Sequence, residues 1–198
     1  MERTRKKMNV RKLTVIAVLG AVATVLMFLE FSIPIIPSFI KMDFSELPAL
    51  IAAFAFGPVS GIAVCLIKNI VNLLFSTSFG VGSIANFLMG AVFVGVAGFI
   101  YQQGKNLKSA ILGAVMGSLV MGGASLFINY YIVYPIYAQM MTMEKIMQAY
   151  QLINPNVDSL WQALLMFNLP FTVVKGFINV ILTFLIYKKV SPLLKGTV

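Results

Sequence analysis

Six runs of apolar residues, separated by short polar breaks, follow one another along the 198-residue chain. They fall near residues 13–31, 46–57, 59–75, 83–102, 107–133 and 160–187, and each reads as a helix made for an apolar environment. The second is too short for a full crossing and has the length of a re-entrant or buried helix. Gly57-Pro58 ends it and begins the third. Proline disfavours helix in the residue before it and opens a helix well. Segments two and three therefore form a hairpin whose ends share one side. The expected fold is all-α: one polytopic membrane domain over residues 1–198, with six transmembrane helices.

The polar positions inside these runs are ordered. The sixth reads "FNLPFTVVKGFINVIL", and its Asn168, Thr172, Lys175 and Asn179 are spaced 4, 3 and 4 apart, which puts them on one helical face. The third carries Lys68, Asn72 and Ser76 at steps of four. The fourth opens with Ser83 and Asn86, and the fifth ends in "FINYYIVYPIY" with Asn129 among aromatics. Taken singly, each such residue is accounted for as interhelical hydrogen-bonding glue. Taken together, all but Asn179 converge at one depth, and that favours an outward-facing pocket. Phe127 and Tyr130 are the aromatics expected to turn inward. Intramembrane Lys68 and Lys175 are costly and are expected to face the bundle interior.

Composition narrows the class. The chain is 60% hydrophobic and 11% charged, against roughly 25% charged for a soluble domain, so lipid is its main solvent. The net charge of +9 does not point to nucleic acid, because the basic residues sit at helix ends. Arg3, Arg5, Lys6, Lys7, Arg11 and Lys12 precede the first run, Lys105 and Lys108 follow the fourth, and Lys188, Lys189 and Lys195 follow the sixth. Those eleven belong inside, against Lys41 and Lys145 outside, so both termini are expected in the cytoplasm. The N-terminal run is long and no A-x-A-like site follows it, so it reads as a retained helix rather than a signal peptide. With no His, one Cys (Cys65) and scattered carboxylates, no metal site and no catalytic residues are expected. Cys65 reads as a small packing residue. Asn, Ser and Thr with one Lys and aromatic rings suit a neutral or weakly polar, ring-containing small molecule. Bulk ion conduction is disfavoured, since no ring of like charges occurs.

The block "KMDFSELPALIAAFAFGPVSGIAVCLIKNIVNLL", followed by "GSIANFLMGAVFV" and later by "PFTVVKG", resembles the substrate-binding S components of energy-coupling factor (ECF) vitamin transporters. The likeness is strongest to the riboflavin-specific members and spans most of the chain. It implies a bacterial plasma-membrane protein that captures a vitamin from outside. It also implies partners: a transmembrane coupling subunit (EcfT) and two ATPase subunits. The chain itself lacks a G-x-x-x-x-G-K-[ST] phosphate loop, so it is expected to hydrolyse nothing. No cofactor is expected, riboflavin being the transported ligand. Ala17 and Ala21 match the family's Ala-x-x-x-Ala docking motif, where small residues admit another helix. Packing inside the bundle is the alternative, as for the repeat Ala110, Ala114, Ser118 and Gly122. The resemblance makes residues 41–46 an outer gate, wetted when open, with Met42, Asp43 and Phe44 near the ligand. The plainer reading is a solvated loop with Ser45 and Glu46 capping a helix. The expected ligand contacts are thus Met42, Asp43, Phe44, Asn86, Asn129, Asn168, Thr172 and Lys175. An S component for another vitamin, or a membrane scaffold or lipid-handling protein, remains the alternative function.

Overall fold

A computed structural model describes residues 10–76 and 80–195, with side chains to residue 187. It is 81% helical. The basic residues before Val10, and the side chains of Lys188, Lys189 and Lys195, lie outside the described residues. The elements are α1 (Val10–Phe28), the short strands β1 (Phe31–Ser32) and β2 (Lys41–Met42), α2 (Glu46–Phe56), α3 (Pro58–Leu73), α4 (Val81–Gly104) and α5 (Leu107–Ile128). After a π-helical turn at Asn129–Val133 come α6 (Tyr134–Met140), α7 (Met143–Gln151) and α8 (Leu160–Ala163). A second π-helical turn, Leu164–Asn168, leads into α9 (Leu169–Lys195).

Among the described residues, four apolar helical stretches are long enough to cross a membrane: Val10–Phe28, Val81–Gly104, Leu107–Met140 and Leu160–Tyr187. The other two apolar runs are the shorter helices α2 and α3. At 11 residues, α2 spans about 16 Å, roughly half the hydrocarbon thickness. Nine of its residues are buried. It is therefore a plug inside the bundle, packed on α1, α3, α4 and α9. Gly57 makes the turn into α3 with φ +96°, a conformation open to glycine, and Pro58 follows as the first helical residue.

The longest helix–helix seam joins α4 to α5. Small residues make it possible: a Cβ added at Gly117 would lie 2.7 Å from the Phe93 carbonyl oxygen. Ala110, Ala114, Ser118 and Gly122 all face inward on α5, so that small-residue repeat is consumed inside the bundle. On α1 the opposite holds. Ala17 and Ala21 are exposed, together with Val18, Val22 and Val25.

Two prolines shape the upper bundle. Pro135 and Pro170 each follow a π-helical turn by two residues. Proline brings no N–H and its ring clashes with the carbonyl four residues back. The helix widens just before it, and the N–H groups of Tyr134 and Leu169 reach back five residues, to the carbonyls of Asn129 and Leu164. Each widened turn carries one asparagine that faces inward, Asn129 or Asn168. The small β1–β2 hairpin, which pairs Phe31 with Met42 and Ser32 with Lys41, and the amphipathic α7 have no counterpart among the six apolar runs.

Candidate functional site

A cavity of about 330 Å3 opens at the end of the bundle opposite the α4–α5 turn. Its walls come from the C-terminal ends of α1 and α3, the start of α4, the π-helical turn after α5, α6 and the start of α9. Its volume lies within the range of small-molecule sites.

The floor is a buried set of charges. Asp43 and Glu46, at the head of α2, are each 2% exposed, and Lys68 of α3 is fully buried. Lys68 Nζ lies 2.8 Å from Glu46 Oε1 and also donates to Ser45 Oγ. Lys175 Nζ lies 2.6 Å from Asp43 Oδ2 and 3.8 Å from Glu46 Oε2. Two carboxylates thus meet two ammonium groups, and the floor is neutral. Asn179 donates to the Asp43 carbonyl at 3.4 Å and to that of Lys175 at 3.0 Å. Burial alone would raise the Asp43 pKa. The positive charges of Lys175 and Lys68, with hydrogen bonds from Lys175 and Ser45, outweigh it and hold the carboxyl well below the usual carboxylate range. A group depressed in the folded state adds stability above its unfolded pKa and loses it as pH falls toward the folded value. Thermal stability is therefore expected to stay level from pH 7 to about 5 and to decline below about pH 4, as a melting series over pH would show.

The walls supply polar groups at the height of that floor. Asn86 donates to Asp43 Oδ2 at 3.5 Å and accepts from Asn69 at 3.3 Å, while Ser83 donates to Asn72 at 2.8 Å. Asn129 and Thr172 are nearly buried and line the cavity, and among the described residues neither side chain is hydrogen-bonded within the chain. Buried polar groups are normally satisfied, so these two are available to an occupant. Phe39, Phe75, Tyr134, Tyr137 and Phe171 provide ring surface. Among the described residues no cluster of His, Cys, Asp and Glu suits a metal ion.

The profile of the family described as "ECF transporter, substrate-specific component" matches residues 11–187. The chain belongs to this family of S components. It is 36% identical over 194 residues to "Riboflavin transporter RibU" of Staphylococcus aureus, covering 96% of this chain and 97% of that protein. To "Riboflavin transporter FmnP" of Bacillus subtilis it is 31% identical over 188 residues, covering 93% and 94%. A solved structure described as "Structure and mechanism of the S component of a bacterial ECF transporter" superposes with a TM-score of 0.74 at 35% identity. That match covers 93% of this chain and 97% of the other. An S component is the substrate-binding part of a transporter and not an enzyme.

In this S component, six of the eight expected contacts line the cavity: Asp43, Asn86, Asn129, Asn168, Thr172 and Lys175. Met42 and Phe44 do not. Met42 is 2% exposed and away from the cavity, and Phe44 packs on Phe31 with ring centroids 6.0 Å apart. The 43–46 stretch is not wetted, because its charges are closed into ion pairs by Lys68 and Lys175. Nor does Ser45 cap α2: its hydroxyl is bonded to the Asp43 carboxylate. Phe127 and Tyr130 point outward and meet Trp161 instead. The extra residue of the first π-helical turn advances the inward face, so Val133, Tyr134 and Tyr137 follow Asn129 into the cavity. Pro135 is the sequence signal for that shift.

Proposed function

We propose that this S component captures riboflavin from outside a bacterial cell and delivers it to a coupling module made of EcfT and two ATPase subunits. One observation carries the proposal. The cavity combines ring surface with a set of unspent hydrogen-bonding groups over a neutral floor: the Asn129 amide, the Thr172 hydroxyl and the remaining N–H groups of Lys175. A flavin presents a flat ring, a polar ring edge and a hydroxylated chain, which match those groups in kind. The names of the two relatives at 36% and 31% identity support the same ligand. The test is uptake of labelled riboflavin by cells that have no other flavin importer. Uptake that requires both this chain and the coupling module is the expected result. Uptake of a different vitamin alone would replace riboflavin in the proposal.

The proposed topology has six spans in the plasma membrane, counting α2–α3 as a hairpin pair, with both termini cytoplasmic. The basic end of the bundle, with Arg11, Lys12, Lys105 and Lys108, then faces the cytoplasm, and the cavity opens outside. Lys108→Cys is expected to resist an impermeant thiol reagent in intact cells, and Gln148→Cys on α7 to react. Labelling at 108 would invert this topology.

Lys175 stands at the junction of floor and ligand. Lys175→Met is expected to weaken riboflavin binding by about 5- to 150-fold, the loss of one buried charged donor. It also strands the Asp43 carboxylate. Adding Asp43→Asn is expected to restore melting temperature without restoring affinity. Recovery of both would make Lys175 a partner of Asp43 only.

A further inference from the structure

The hydrogen-bond system of the cavity includes one side chain from α7, a helix that none of the six apolar runs contains. Tyr150 and Ile146 are the two buried residues of α7. Tyr150 is fully buried under Phe39 and Phe167, with ring centroids 5.9 and 5.5 Å away. It does not line the cavity, yet its hydroxyl meets two residues that do, Tyr134 and Asn168.

These three groups close a ring. Tyr150 donates to Asn168 Oδ1 at 2.6 Å, the Asn168 amide nitrogen donates to the Tyr134 hydroxyl at 3.3 Å, and the two hydroxyls are bonded to each other. The distances set the sense of the amide, since O–H···O bonds are short and N–H···O bonds longer. Tyr134 must then donate to Tyr150, and each member donates once and accepts once. Burial, and next to it Tyr134, push the Tyr150 pKa up, so its hydroxyl keeps the proton it donates. An amide nitrogen has two N–H groups. The ring uses one, and Asn168 lines the cavity with the other unspent.

We propose that Tyr150 is a positioning residue that holds the Asn168 amide with its N–H toward the cavity, and so selects a ligand bearing a hydrogen-bond acceptor at that point. This rests on the riboflavin reading, in which a ring carbonyl or ring nitrogen is the acceptor. Without the Tyr150 hydroxyl the amide keeps only Tyr134, whose hydroxyl can accept or donate, so a flip that presents an oxygen to the ligand's acceptor costs it no hydrogen bond within the chain.

The test is riboflavin titration of the purified full chain in four forms: unsubstituted, Tyr150→Phe, Asn168→Ala and the double variant. Tyr150→Phe keeps the ring packed between Phe39 and Phe167. It is expected to weaken binding about 5- to 20-fold. In the Asn168→Ala background the same change is expected to matter less than about 2-fold, because the group it orients is gone. Tyr134→Phe opens the ring at its other hydroxyl and is expected to give the same loss, which keeps the test decisive if Tyr150→Phe does not fold. Wild-type affinity in the tyrosine variants, or an equal loss with and without Asn168, would make Tyr150 a packing residue and overturn the inference. Absence of riboflavin binding by the unsubstituted protein would sink the riboflavin reading itself, and this inference with it.

Discussion

Lys68→Met lowers the stability of the unliganded protein by about 3–5 kcal/mol, the cost of leaving a buried charge without its partner. This is the largest effect on folding that the structure implies. Lys68 is fully buried and its ammonium holds Glu46 at 2.8 Å and Ser45. Removing it leaves Asp43 and Glu46 facing Lys175 alone, a net charge of −1 in the middle of the bundle. Lys68→Met/Glu46→Gln returns the floor to one carboxylate and one ammonium, and most of the lost stability returns with it. Thermal unfolding in detergent reads both. If the single variant melted like the unsubstituted protein, the head of α2 would not depend on this pair, and the floor would be held by its apolar packing.

The largest effect on transport is expected on an exposed face of α1 outside the cavity lining. Ala17→Val/Ala21→Val is expected to reduce uptake to background while riboflavin binding by the purified chain stays as it was. Both alanines are exposed on α1. Small residues on a membrane helix let a second helix approach closely, and two branched side chains hold it away. The comparable repeat on α5 cannot serve, because it is buried against neighbouring helices. Cellular uptake together with binding by the isolated chain separates docking from capture. Normal uptake by the double variant would move the docking face elsewhere.

Much of this was legible in the chain itself. The six apolar runs coincide with helices, and the shortness of residues 46–57 already marked α2 as a buried element. The spacing of Asn168, Thr172, Lys175 and Asn179 reported a real inward face, since three of them line the cavity and the fourth lies buried beneath it. What local pattern could not report was pairing across the fold. Asp43 and Lys175 are 132 residues apart, so Asp43 and Glu46 read as part of a wetted gate, whereas in the structure they are buried in the neutral floor. Periodicity also failed where the period changed. A straight α-helix carries the face of Asn129 on to residues 132, 133 and 136, whereas the turn before Pro135 adds a residue and brings Tyr134, five after Asn129, onto it. Strands β1 and β2 are two residues each, too short to leave an alternating pattern. Helix α7 has a polar outer face and gave no apolar run, which is why Tyr150 went unmarked.

Riboflavin binding in the cavity is read directly by titrating the purified chain, without its partners, and following flavin fluorescence. Burying the ring among Phe75, Tyr134, Tyr137 and Phe171 quenches its emission, so saturable quenching with one flavin per chain is expected, with a melting temperature that rises with flavin concentration. Undiminished emission and an unshifted melting curve at micromolar flavin would contradict it.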